Sequence, residues 1–319
     1  PENARRFAFA TDDRHPSDLL DEGHLDHLVR LAVEAGVRPV TALRMATLNA
    51  AEAFGLQDRG AVAPGRRADL VVTPSLEAFE AALVISAGEV VAREGRLVGE
   101  RALPHPDESA VRGSVNVDLD ALSFRIPVEG ERVRVIGVIP DQIVTEERIL
   151  EPRVEDGEAL AETERDLLKL AVVERHRGTG NVGLGFVQGL GLKRGAIAGS
   201  VGHDAHNVTV AGANDDDMRA AVRAVKELGG ALVAVLDGEV LGSVPLPIGG
   251  LMSDRPIEGV RAQMEALLEA ARELGCPLHD PFMQLGFLAL EVIPKLKLTD
   301  QGLVDVEAFD FVPLWVDKP

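Results

Sequence analysis

The chain opens with alternation. Phe7-Ala8-Phe9-Ala10 sets large against small apolar residues and runs into Thr11-Asp12-Asp13-Arg14-His15-Pro16. This pattern predicts a buried strand that stops and hands polar groups to a loop. Carboxylates at the C-terminal end of a strand are where parallel α/β barrels place their chemistry; an ordinary strand-to-turn junction with Asp as turn former explains the same residues. Next, Leu25, Leu28, Val29, Ala32 and Val33 fall on one helical face, with Gly36 placed to end the helix. His24 and His27 lie i, i+3 near its start, an arrangement that suits a wet helix end or a shared ligand. A second helix is predicted from a cap at Thr41 to Phe54, stopped by Gly55. The pattern then changes to turns and short strands at 70–72, 83–85, 89–92 and 95–98, a small antiparallel β-module. Pro104-His105-Pro106-Asp107 reads as an interdomain connection. From Val115 onward strands are predicted at 132–139, 167–173 and 231–236. Amphipathic helices are predicted at Asp215–Leu228 and Ile257–Leu274.

Composition narrows the partners. The 319 residues are 46% hydrophobic and 27% charged, as in a folded globular protein. Lys and Arg number 33 against 52 Asp and Glu, a net charge of −19. That field repels phosphate backbones and anionic lipid, so neither a nucleic-acid polymer nor a membrane is expected as a partner. The single cysteine, Cys276, excludes an internal disulfide, makes the cytoplasm the default location, and reads as a buried bystander. There is no long apolar run and no basic-then-apolar leader. The first residues, Pro1-Glu2-Asn3-Ala4-Arg5-Arg6, look like the tail of an element feeding a strand, as if the chain were cut from something longer.

Three stretches outside the opening invite a chemical reading. Gly202-His203-Asp204-Ala205-His206-Asn207 follows an apolar run, and two imidazoles beside a carboxylate are ingredients of a metal site or a proton relay. A structural polar cluster is the competing reading, and two ligands alone do not make a specific metal site. Gly178, Gly180 and Gly183 satisfy Gly-x-Gly-x-x-Gly, but the strand–helix context of a dinucleotide or phosphate loop is missing, so close backbone packing is expected instead. Asp215-Asp216-Asp217 suits the first turn of a helix. Aromatic residues are only 3% of the chain, too few for a stacking platform for single strands.

The segment Gly55–Val72, with its Asp58-Arg59-Gly60 and Ala63-Pro64-Gly65-Arg66-Arg67-Ala68-Asp69-Leu70-Val71-Val72, resembles the end of the amidohydrolase superfamily barrel as it enters the following β-sandwich. Thr11–Pro16 with Asp18-Leu19-Leu20 and Gly23-His24 is similar to the adenine deaminase family within it. Gly178–Asn207, Pro245–Asp254 and Asp280–Val306 resemble that family's C-terminal domain, so the likeness runs through essentially the whole chain. It implies a fold that is α/β and β. Residues 1–56 would be the last strand and helices of a metal-dependent (β/α)8 amidohydrolase barrel, 57–105 a small β-sandwich module, and 115–319 a C-terminal α/β domain.

The resemblance also implies an activity, the hydrolysis of adenine to hypoxanthine and ammonia in purine salvage. It assigns Asp12 as metal ligand and base, with Asp13 on the opposite side of an extended chain. His15 would orient a ligand or contact substrate, and His203, Asp204, His206 and Asn207 would cap the active-site mouth. The family often has Ala and Ser where this chain has Gly202 and Ala205. The implied cofactor is a divalent metal, manganese or iron, as a binuclear centre. The chain has 8 histidines and no His-x-His pair, and a barrel needs roughly 250 residues where about 55 are available here. The implied partners are therefore adenine, a missing N-terminal barrel portion and further copies of the chain, and the chain alone is expected to be inactive. Another amidohydrolase acting on a cyclic amide or a different aminopurine, and a non-catalytic binding or assembly module, are the alternatives.

Overall fold

A computed structural model describes residues 3–99 and 107–316. The opening Pro1-Glu2 and the connection read at Pro104-His105-Pro106 lie outside the described residues. The chain divides into two compact units, Pro1–Pro106 and Asp107–Pro319. The architecture is mixed α/β, with several sheets and few helices.

The first unit begins differently from the sequence expectation. Phe7–Ala10 forms no strand; Phe7 is 57% exposed, and the Phe9 amide donates to the Met45 carbonyl at 3.2 Å. Alternation alone does not make a strand, because a strand needs neighbours to take its amides and carbonyls. Four helices follow: α1 (Pro16–Asp21), α2 (Leu25–Glu34), α3 (Pro39–Ala46) and α4 (Leu48–Ala53). α2 ends as its pattern dictates, with Gly36 at φ +90° just past the cap. The helix expected from Thr41 to Phe54 is two. It starts at Pro39, where proline is pre-shaped for a first turn, and breaks at Thr47 (φ −131°, ψ −84°), whose hydroxyl donates to the Leu43 carbonyl at 2.6 Å. Strands β1 (Leu70–Val72), β2 (Leu83–Ser86), β3 (Glu89–Arg93) and β4 (Arg96–Leu97) then form one antiparallel meander. It is a single sheet; a second sandwich layer is not among the described residues. Beside it lies an apolar hollow of about 740 Å³ walled by Leu43, Phe54, Val62, Leu70 and Leu76.

The second unit is built on an eight-stranded sheet. Its elements in chain order are β5 (Val133–Val138), β6 (Thr145–Leu150), β7 (Arg153–Glu155), β8 (Glu158–Leu160), β9 (Leu167–Val173), β10 (Val182–Gln188), β11 (Ala196–Gly199), β12 (Val208–Gly212), α5 (Asp215–Glu227), β13 (Ala231–Leu236), β14 (Glu239–Pro245), α6 (Ile257–Glu273), α7 (Pro281–Phe287), β15 (Leu296–Thr299), β16 (Gly302–Asp305) and β17 (Asp310–Val312). The large sheet has the order β14-β13-β11-β12-β9-β10-β5-β6, antiparallel except where β10 meets β5. β7 and β8 form a hairpin, and β15–β17 a three-stranded sheet.

Alternation divides each central strand between two cores. On one face Ala171, Val173, Val208 and Val210 pack under Met218, Ala221, Val222 and Val225 of α5. On the other, Leu168, Leu170, Val172 and Ile197 meet Met264, Leu267, Ala271 and Leu274 of α6 and Phe282 and Leu285 of α7. Strands buried on both faces read as continuous apolar runs, which is why β9 is apolar except for Lys169. That ammonium is 2% exposed and is neutralised by Glu158 at 2.7 Å and Asp215 at 2.8 Å. The acidic start of α5 is therefore more than favourable end charge: Asn214 accepts the Asp217 amide at 2.8 Å as the cap, and Asp215 holds the buried lysine. Gly183 on β10 has no room for a side chain, since a Cβ there would overlap the Thr299 carbonyl. Close packing, as expected, accounts for that glycine. Cys276 is buried at the end of α6, and its burial pushes the thiol up. Among the described residues no helix is long and apolar enough to cross a membrane.

Candidate functional site

The loop from Thr11 to His24 in the first unit is tied by short-range polar contacts. Asp12 stands at φ +54°, a left-handed conformation that aspartate tolerates, and its Oδ1 accepts the Asp13 amide at 3.0 Å. The backbone at Asp12 is thus not extended, and the expectation that Asp13 points away by strand alternation loses its basis. Asp12 and Asp13 are both exposed. His15 is the N-cap of α1, its amide donating to Asp18 Oδ2 at 3.2 Å, with Pro16 at the first helical position. His24 Nε2 lies 3.2 Å from the Thr11 hydroxyl, so one histidine of the i, i+3 pair touches the Asp12 loop. The other, His27, is 3.5 Å from Glu22. Gly23 is required where it stands, because at φ +109° a Cβ would come 2.6 Å from Asp26 Oδ2. Asp26 in turn accepts the His24 amide at 2.8 Å and pairs with Arg30 at 2.7 Å, which holds its carboxyl below the usual range against the opposing effect of burial.

The second unit positions His203, Asp204, His206 and Asn207 on the turn between β11 and β12. Asp204 and His206 take positive φ, +63° and +48°, and the His206 amide closes the turn onto the Gly202 carbonyl at 2.6 Å. Asp204 and Ala205 face solvent; Asn207 is buried. The His203 ring stacks on Phe287 at the end of α7, with centroids 4.0 Å apart and planes 9° from parallel. A methyl at Gly202 would sit 3.2 Å from the Thr209 hydroxyl and 3.3 Å from the Asn207 carbonyl. The glycine here thus fits the tight turn as it is drawn.

Residues outside the 202–207 motif hold this loop. Arg175, 1% exposed, donates through Nε to the His206 carbonyl at 2.5 Å, and its other nitrogens reach Ser114 at 3.1 Å and the Gly249 carbonyl at 3.0 Å. Its backbone amide reaches Asn207 Oδ1 at 3.4 Å, while Asn207 Nδ2 donates to Asp300 at 3.2 Å. His176 Nε2 lies 2.8 Å from the Ala205 carbonyl. Glu174 organises the turn behind Arg175: it accepts amides from His176 (2.5 Å), Arg177 (2.8 Å) and Thr179 (3.0 Å) and the Thr179 hydroxyl (3.1 Å). Burial works to raise its carboxyl, but these bonds win and bring it down to about 2. From the other side, Lys297 Nζ donates to the carbonyls of Phe287 (3.0 Å) and Ile143 (2.8 Å), with burial lowering it to about 8. One signal was legible for the first set: Glu174-Arg175-His176-Arg177 directly follows a strand buried along its whole length. No such signal marked Lys297.

His206 is lowered from its ordinary value, first by burial and then by the positive charges of Arg175, His203 and His176. The ring is thus disposed to be neutral, and its buried Nδ1 has no hydrogen-bond partner among the described residues. Among the described residues no three His, Cys, Asp or Glu side chains converge as metal ligands. The donors of the described residues therefore do not by themselves make up a metal site. What they offer is a carboxylate near a histidine in one unit and a braced two-histidine loop in the other.

Residues 2–91 match the amidohydrolase family. Residues 142–310 match the adenine deaminase C-terminal domain. Adenine deaminase from Desulfatibacillum aliphaticivorans is 52% identical over 98% of this chain, and adenine deaminase 2 from Carboxydothermus hydrogenoformans 50% identical over 98%. Adenine deaminase from Brucella anthropi is 48% identical over 97%. The chain belongs to the adenine deaminase family. It spans 54–55% of the length of these relatives.

Proposed function

We propose that the protein to which this chain belongs hydrolyses adenine to hypoxanthine and ammonia in the cytoplasm, as a step of purine salvage. The observation that carries this reading is 52% identity to a relative named adenine deaminase, across 98% of the chain. In this reading residues 1–56 are the end of an amidohydrolase barrel, 57–105 the β-module beside it, and 115–319 the C-terminal domain. The remaining barrel, its histidine ligands and the divalent manganese or iron come from outside this chain, with Asp12 as the one ligand supplied from within it.

Exchange of an amino group for oxygen consumes one water and releases one ammonia. The water must lose a proton and the departing nitrogen must gain one. Asp12 suits this traffic: one carboxylate oxygen is engaged by the Asp13 amide, and the other is left to take a proton and return it. His15 contacts or orients the substrate. His203, Asp204, His206 and Asn207 form a substrate-contacting cap, with His206 as a neutral hydrogen-bonding group rather than a cation.

The test compares two preparations in a spectrophotometric adenine assay with added Mn²⁺ or Fe²⁺. The first is this 319-residue chain alone, and the second is the chain joined to a complete barrel. Turnover only in the second is expected. A complete protein that leaves adenine untouched but opens a cyclic amide would overturn the assignment, and turnover by the isolated chain would overturn the division of labour.

A further inference from the structure

The second unit contains a recess of about 360 Å³ beside the 203–207 loop, and no cationic side chain lines it. Its polar wall carries the carboxylates of Glu291, Asp300 and Asp310, with the side chains of Asn207, Thr299 and Gln301 beside them. Its remaining surface is mainly apolar and carries Phe309 and Phe311. These two rings are 85% and 54% exposed, an unusual expense of aromatic surface in a chain with only 10 Phe, one Trp and no Tyr. Glu291 adds an independent sign. Its Oε2 is buried and has no hydrogen-bond partner among the described residues. A carboxylate oxygen withdrawn from water without a donor is unfavourable, so the side chain gains by turning toward an N–H donor that enters the recess.

The chemistry of the occupant follows. Carboxylates without a cation reject phosphate and other anions. Exposed aromatic rings favour a flat ring system, and three carboxylates beside hydroxyl and amide groups call for an edge that carries N–H donors together with an acceptor. The volume lies at the small end of ligand pockets, closer to a free base than to a nucleotide. We infer that this recess is a binding site for a free aminopurine base, formed wholly within the second unit. The choice of adenine as its ligand rests on the function proposed above.

The 319-residue chain, titrated with adenine and followed by saturation-transfer NMR and calorimetry, tests this without any turnover. Saturable adenine binding is expected, with none for adenosine monophosphate. Phe309→Ala changes a side chain that is almost fully exposed, so the fold is retained, as the fluorescence of the single Trp315 reports. It should weaken adenine about fivefold or more, the range found when a base loses an aromatic neighbour. Glu291→Gln should weaken it independently. Absence of saturable binding, binding unchanged in Phe309→Ala, or binding of benzamidinium without adenine would overturn the inference. Because the readout is binding by this chain, its failure is separable from failure of the deaminase assay on the complete protein.

Discussion

Replacing Glu174 by Gln should loosen the second unit by an amount that depends on pH. The carboxylate is 8% exposed and accepts three amides and a hydroxyl. A carboxyl lowered from 4.5 to about 2 is held in its ionised form by roughly 3 kcal/mol at neutral pH. Gln keeps the shape but turns one acceptor oxygen into an NH₂ that faces the donors of Thr179 or of His176 and Arg177. A loss of about 2–4 kcal/mol is expected at pH 7. Because the folded pKa is depressed, this stabilisation is complete above the unfolded value of 4.5 and is lost as pH falls toward about 2. At pH 3 the gap between wild type and variant should therefore narrow by about 2 kcal/mol. Urea unfolding followed through Trp315, the single tryptophan and buried in this unit, reads both values. A variant within about 0.5 kcal/mol of wild type at pH 7, or a gap that does not change with pH, would refute the reasoning.

Two further predictions follow from the same unit. Gly183→Ala forces a methyl onto the Thr299 carbonyl and should destabilise by several kcal/mol, whereas Gly157→Ala, with open space around it, should cost only about 1 kcal/mol for its positive φ; urea midpoints compare them. His206 is lowered from 6.5, so the unfolded chain binds its proton first, and its contribution to stability is full above pH 6.5 and declines as pH falls below it. NMR titration should find its midpoint below 6.5, and a midpoint at or above 6.5 would contradict the neutral-ring role.

The parts of the fold that were legible are those in which burial alone decides. α2, α5 and α6 appear within a residue or two of the range their apolar spacing indicates, and so do β5, β9 and β13. Phe7–Ala10 failed because strand formation depends on partners that its own pattern does not contain. The break at Thr47 was hidden because a hydroxyl bonding back to Leu43 leaves the helical periodicity intact. The candidate loop at 203–207 was visible through its unusual residue types. Its support was not, since Arg175 and Asp300 reach it from elements distant in sequence. The recess beside it was invisible for the same reason: Phe309, Glu291 and Asn207 become neighbours only through β12 and the β15–β17 sheet.

The central claim is that Asp12 serves adenine hydrolysis. The most direct measurement is the rate of adenine conversion by the complete, metal-loaded protein carrying Asp12→Asn, with metal content determined on the same sample. The account predicts a loss of at least a hundredfold in kcat, the scale of removing a proton-transfer group, with Asp13→Asn far less affected. Undiminished turnover in Asp12→Asn, or equal losses in the two variants, would contradict it.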